Sequence, residues 1–256
     1  MIVCATYNIK GGVGKTAAAV NLGYLASRNG YRTLVWDLDP QGAASFYLRG
    51  ESLGALELDD LLNKKRGITE AIRATDYPKL DLLPASLAYR NLDVALSEFK
   101  NPTRRLGKLL APLAAHYDLA LLDCAPNLSV ASENIFALAD WLLVPIIPTP
   151  LSIRAYEQLQ AFWAADAMAS AKLLPFFSMV DRRRQLHCDL VTSFAQTHPE
   201  VLRSFIPYAS QIERMGEQRA PIQAFAPTSP GARAFVALWQ AFCMRIAIAP
   251  GAPSAG

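Results

Sequence analysis

The chain has 256 residues, enough for one large α/β domain or at most two small ones. Hydrophobic residues make up 52%, which excludes a disordered chain, and charged residues only 18%, so much of the chain is interior. The net charge of +3, from 25 basic and 22 acidic residues, does not mark a nucleic-acid binder by itself, so any DNA site must come from local clustering.

The chain opens on an apolar strand, Ile2–Tyr7, and runs straight into a glycine-rich loop, without the basic stretch that begins a secretory signal. Helical spacing follows over Lys15–Arg28. Further short apolar runs predict strands at Thr33–Trp36, Leu80–Leu83, Leu119–Leu122, Trp141–Ile147 and Leu173–Val180, with a short last one at Ser204–Ile206. None alternates with polar residues, as expected of parallel strands covered on both faces. Gly50–Pro78 reads as two short helices and loops. Thr103–His116, Ser152–Ala171 and Pro230–Ile248 read as helices, and the tail Ala249–Gly256 as disordered. This alternation predicts an α/β fold: a doubly wound, mostly parallel sheet with helices on both faces, in one domain over residues 1–248. No apolar run reaches the ~18–20 residues of a membrane span.

The cysteines Cys4, Cys124, Cys188 and Cys243 form no C-x-x-C pair. They read as thiols in a reducing cytosol, without a disulfide frame or structural zinc.

The sharpest chemical signal is Lys10-Gly11-Gly12-Val13-Gly14-Lys15-Thr16, placed between a strand and a helix. Glycines allow a tight turn that aims backbone N–H groups at phosphate oxygens, and the helix N-terminus adds a favourable dipole. Lys15 is expected to reach the β- and γ-phosphates of ATP, and the Thr16 hydroxyl to ligate Mg²⁺. Two acidic stretches follow strands: Asp37-Leu38-Asp39-Pro40-Gln41-Gly42, and Asp123-Cys124-Ala125-Pro126 after Leu121-Leu122. Extended backbone puts Asp37 and Asp39 on the same side. An Asp closing an apolar strand suits a Mg²⁺ ligand, directly or through water.

The strict phosphate-loop pattern begins with glycine, where this chain has Ile9; it carries Lys10 instead. This string resembles the deviant Walker A of the ParA/MinD group of P-loop ATPases. The resemblance, over about residues 1–248, implies several roles. Lys10 would cross a homodimer interface to the partner's nucleotide, making the dimer depend on ATP. Gly11, Gly12, Val13, Gly14, Lys15, Thr16 and Ala17 would cradle the phosphates. Asp39 would orient or activate the attacking water, with Asp37 near the Mg²⁺ shell and Asn127 helping to order water or the switch after Asp123. Met179, Asp181 and Pro207 would flank the base. Two departures stand out: Ala17 replaces a second hydroxyl, a loss of about 1 kcal/mol, and Ala125 replaces a proline.

Basic residues follow the sixth strand at Arg182, Arg183 and Arg184, with Arg203, Arg214, Arg219, Arg233 and Arg245 downstream. By resemblance they would bind nucleoid DNA without sequence choice, through phosphate neutralisation that doubles on dimerisation. The short form of the ParA family, without a DNA-reading helix-turn-helix, is implied. Its members position plasmids, chromosome regions or protein assemblies such as carboxysomes and chemotaxis clusters. They work through ParB-like or cargo adaptors that stimulate a slow basal ATPase. Three rivals remain at this point: a MinD-like membrane-surface ATPase, a metal-cluster carrier of the same superfamily, and a metabolic kinase. The first needs a basic amphipathic C-terminal helix, and Phe235–Ile248 carries only Arg245.

Overall fold

The computed structural model describes residues 1–51, 60–63, 67–165 and 170–248. Its strands are β1 (Ile2–Thr6), β2 (Thr33–Asp37), β3 (Arg73–Ala74), β4 (Leu80–Leu83), β5 (Leu119–Asp123), β6 (Trp141–Ile146) and β7 (Lys172–Phe177). They form one sheet in the order β3-β4-β2-β5-β1-β6-β7. Every pairing is parallel except the short β3 against β4. The predicted doubly wound, mostly parallel sheet is the observed architecture.

Side chains leave a strand alternately to its two faces. Val3 and Ala5 pack on one side and Cys4 on the other; Leu34 and Trp36 oppose Val35; Ala120 and Leu122 oppose Leu119 and Leu121. Both faces are therefore core, which is why the runs lack polar alternation. Helices α1 (Lys15–Arg28) and α2 (Ala43–Tyr47) come first. Helices α3 (Val130–Leu138), α4 (Pro150–Ala165), α5 (Gln185–Thr197) and α6 (Pro230–Ile246) follow. Leu22 and Leu25 of α1 share one core layer with Leu238, Trp239 and Phe242 of α6. Ile135 and Phe136 of α3 share the other with Tyr156 and Leu159 of α4. Helix α1 lies so close to the sheet that a Cβ on Gly23 would come within 2.8 Å of Val35 Cγ2.

Several predicted bounds change. Residues 204–206 form no strand. Instead Ile206 N–H donates to Phe177 O (2.9 Å), and isolated bridges join Phe176 to Leu202 and Val180 to Pro207. The sixth predicted strand stops at Phe177, because Met179 takes a left-handed backbone (φ 55°) that an extended strand cannot continue. The remaining strand is β3, inside the segment read as helices and loops; that segment also holds the helical turn Ile68–Ala71. The helix predicted over 103–116 is split into a 3₁₀ turn at Pro102–Arg104, α-helix at Arg105–Leu110 and a 3₁₀ turn at Ala111–Ala115. Pro112 lacks the N–H that an uninterrupted α-helix needs. Its predicted apolar face, Leu106, Leu109, Leu110 and Leu113, is nonetheless buried. Helix α4 starts at Pro150 and is described to Ala165; residues 166–169 of the predicted 152–171 helix, and the tail from residue 249, lie outside the described residues.

Candidate nucleotide site

The site lies where the parallel strands end. Beyond β1, Asn8 is buried and fixes the loop: its amide donates to Pro145 O (2.8 Å) at β6, and its Oδ1 accepts from Lys10 N–H (2.9 Å). Val13 is also buried. Gly14 has φ 97°, and a Cβ there would sit 2.8 Å from Ser178 Oγ, so both backbone conformation and space demand glycine. It precedes α1 without any side-chain cap. The first N–H groups of α1 thus remain free to meet an anion. Lys15 is buried, and its Nζ donates back to Lys10 O (3.3 Å). Burial pulls the Lys15 ammonium below its ordinary value, opposed by the neighbouring Asp123 carboxylate.

Asp37 and Asp123 close β2 and β5 as register partners, and Thr6 of β1 stands on the other side of Asp123. Both carboxylates are fully buried. Asp37 is well satisfied. It accepts from Ser45 N–H (2.7 Å), Ser45 Oγ–H (2.7 Å) and Asp39 N–H (3.2 Å), so it ties the end of β2 to α2. Asp123 Oδ1 accepts a long hydrogen bond from Thr6 Oγ1 (3.4 Å), and its Oδ2 has no hydrogen-bond partner. Burial, then the nearby Asp37 charge, pushes the Asp123 carboxyl far up; the Thr16 hydroxyl beside it pulls the other way. Asp37 is raised by burial as well.

A cleft of about 320 Å³ runs along Gly11–Ala17 and is closed by Asp39, Tyr47, Pro126, Met179, Ile212 and Glu213. A smaller cavity of about 50 Å³ adjoins it at Gly14 and Ala17, between Ser178, Met179, Pro207 and Tyr208. The structure therefore brings together the whole predicted loop, Asp39, Met179 and Pro207. Thr16 lines the cleft, and its hydroxyl lies beside the Asp123 carboxylate, which is buried behind the lining. Asp37 stands behind Asp39, not in the cleft wall. Lys10 is half-buried at the rim and outside the lining. Asp181 lines neither cavity; its carboxylate bonds Arg183 Nε (2.9 Å) and Nη2 (3.0 Å). The Asn127 carbonyl accepts from Tyr7 Oη–H.

The predicted arginines fall into separate groups. Arg182, Arg183 and Arg184 form an exposed turn before α5, and Arg203 is exposed beyond it. Arg214 pairs with Glu217 (3.2 Å). Arg219 lies over the Phe46 ring (4.7 Å) and donates to Phe46 O (3.3 Å), while Arg49 donates to Arg219 O (3.2 Å). These last contacts clasp the end of α2 to the segment carrying Ile212 and Glu213. Sequence reasoning gave no site role to Asn8, Ser45, Tyr47, Ser178, Ile212 or Glu213. Only Asn8, beside the loop, gave a local signal.

Cys124 is fully buried and its thiol is held protonated by burial. Among the described residues no three His, Cys, Asp or Glu side chains gather into a metal-binding group, and no helix is long and apolar enough to cross a membrane.

A family model described as an AAA domain matches residues 1–166. The sporulation initiation inhibitor protein Soj of Bacillus subtilis is 27% identical over 245 residues, covering 92% of this chain and 96% of that protein. The chromosome-partitioning ATPase Soj of Treponema pallidum is 30% identical over 233 residues, covering 89% and 91%. Among solved structures, a plasmid partition protein of Borrelia burgdorferi bound to AMPPNP superposes with a TM-score of 0.83 at 19% identity, over 95% of this chain and 99% of that one.

Proposed function

Because the chain belongs to the ParA family of ATPases, we propose that it is an ATP-gated positioning ATPase that works on nucleoid DNA. The observation that carries the reading is the pairing of an uncapped, glycine-shaped phosphate loop with a buried carboxylate, Asp123, that has one oxygen left over.

ATP lies along Gly11–Ala17 with its base towards Met179 and Pro207. The Thr16 hydroxyl and Asp123 suit Mg²⁺, a hard cation that prefers oxygen donors. Held there, Mg²⁺ would supply positive charge against the phosphate oxygens. Lys15 adds positive charge from the same subunit. Lys10, at the rim, supplies charge to the partner's nucleotide, so the homodimer forms only with ATP. Asp39 holds the attacking water. Among the described residues, none lining the cleft is an arginine. Basal turnover is therefore slow, well below the ~1–100 s⁻¹ of kinases, and a ParB-like or cargo adaptor accelerates it.

Exposed arginines at 182, 184 and 203, with those at 183, 214 and 219, give the ATP dimer a sequence-independent grip on DNA. Hydrolysis releases it, and the cycle segregates a plasmid, a chromosome region or a protein assembly. A membrane-surface role is disfavoured because α6 buries Phe235, Leu238, Trp239 and Phe242 in the core. A cluster-carrier role is disfavoured because Cys124 is inaccessible.

The test is size-exclusion chromatography with light scattering, plus retardation of random DNA, using ATP, ADP or no nucleotide on wild type and Asp39→Ala. The expected result is an Asp39→Ala dimer that holds DNA with ATP and Mg²⁺, and a free monomer with ADP. Equal DNA binding with ATP and ADP would reject gating.

A further inference from the structure

We infer that His187 is a positioning residue for the base side of the nucleotide cleft, acting through the backbone of Asp181. The inference rests on the nucleotide-site reading above and adds a residue outside both cavities.

Met179 lines both the phosphate cleft and the smaller cavity beside it, and does so from a left-handed backbone conformation that a β-carbon-bearing residue seldom adopts. Something must hold the chain there. On one side, Val180 N–H donates to Ile206 O (3.0 Å) and Tyr208 N–H donates to Val180 O (3.0 Å). On the other side, Asp181 N–H donates to His187 Nδ1 (3.1 Å). The ring is then closed by Arg184 N–H on Asp181 O (3.0 Å) and His187 N–H on Arg184 O (3.0 Å). His187 is 3% exposed. Its Nδ1 must carry a lone pair to accept from Asp181, so the proton sits on Nε2. Nε2 is buried and has no partner. The fold thus leaves one imidazole nitrogen unsatisfied in order to place the other on the Asp181 amide, a trade that is rare in protein interiors.

The imidazole touches neither cavity, so its loss acts by loosening Met179 and Val180. The phosphate loop has its own anchor at Asn8 and runs into the α1 N-terminus. Base-side binding and phosphate binding are therefore separable by variants at residue 187. Asparagine presents a carbonyl oxygen at the distance of Nδ1 and can accept the same bond; alanine cannot.

The experiment measures affinity for a fluorescent ADP analogue and for inorganic tripolyphosphate, and KM and kcat for ATP, in wild type, His187→Ala and His187→Asn. Unfolding temperature is recorded for each. Alanine is expected to weaken the ADP analogue and raise KM on the order of 10-fold, with kcat and tripolyphosphate affinity unchanged. Asparagine is expected to restore wild-type values. The inference fails if alanine binds the nucleotide as wild type does. It also fails if tripolyphosphate and nucleotide weaken together, or if folded His187→Asn is as weak as alanine. A wild type that binds neither ligand would instead overturn the nucleotide site itself, and this inference with it.

Discussion

Asp37 and Asp123 stand side by side in register, both sealed from solvent, yet only Asp37 has its oxygens fully engaged. The difference divides two roles between chemically identical groups. Asp37 holds the segment after β2 to the sheet, through Ser45. Asp123 has an oxygen without a partner, which the proposed function gives to Mg²⁺.

That arrangement predicts how stability depends on pH. Both carboxyls are raised above their ordinary value of 3.8, by burial first. A raised carboxyl binds protons more tightly in the native state than in the unfolded one. Its contribution to stability is thus fully present below 3.8 and lost as pH rises through the folded-state value, which for Asp123 lies above neutrality. Nucleotide-free protein should melt at lower temperature at pH 8 than at pH 5.5, and Mg²⁺ with ATP should flatten the slope. Asp123→Asn should remove most of the slope in the free protein. Relief of an unsatisfied buried carboxylate of about 1–3 kcal/mol should raise its melting temperature by about 2–4 °C per kcal/mol. The same variant should lose Mg²⁺-dependent nucleotide binding. Scanning calorimetry across pH checks both; a slope that persists in Asp123→Asn would assign it to other groups.

Gly14 meets two demands at once. Alanine there would face Ser178 Oγ at 2.8 Å and keep a positive φ. Gly14→Ala should destabilise the protein by about 1–3 kcal/mol and abolish nucleotide binding. Adding Ser178→Ala removes the contact but not the backbone strain. The double variant should therefore recover only part of the stability, as read by urea unfolding. Full recovery would mean that the steric contact alone matters.

Ser45 is predicted to act on hydrolysis from behind the cleft. Its hydroxyl donates to Asp37 and accepts from Ala85 N–H (2.8 Å), linking α2, β2 and the chain after β4. Ser45→Ala should lower stability by about 1–3 kcal/mol and reduce kcat more than nucleotide affinity, because Asp39 is carried by the same segment. Ser45→Thr keeps the hydroxyl and should be milder. Isothermal titration beside steady-state ATPase assays separates the two effects. Equal losses in binding and kcat would place the residue in the phosphate site instead.

What could be read from the residues follows how local the physics is. The phosphate loop is contiguous, so Gly11–Thr16 announced itself and the structure gathers it whole. Asp123 was legible because an apolar run ended on it. The far wall was not: Ile212 and Glu213 come about 200 residues after the loop they face, and no spacing rule links them. Ser45 is eight residues beyond Asp37, yet its role depends on where α2 folds back. β3 has two residues and no apolar run, so periodicity had nothing to detect. At 204–206 the apolar pattern was real, but it serves isolated bridges rather than a ladder. The 103–116 pattern gave the correct buried face and hid the break at Pro112.

The two margins of the sheet have a consequence for assembly. One ends in the two-residue antiparallel β3, and the outer side of β7 is partly covered by bridges from Leu202 and, just beyond it, Pro207. Very short or covered edges offer little template for another chain's backbone. Neither margin presents a long open row of amides and carbonyls among the described residues. Copies of this protein therefore have little to zip together sideways. Edge-to-edge strand pairing would thus not compete with the ATP-dependent pairing proposed above, and would not extend it into a ribbon.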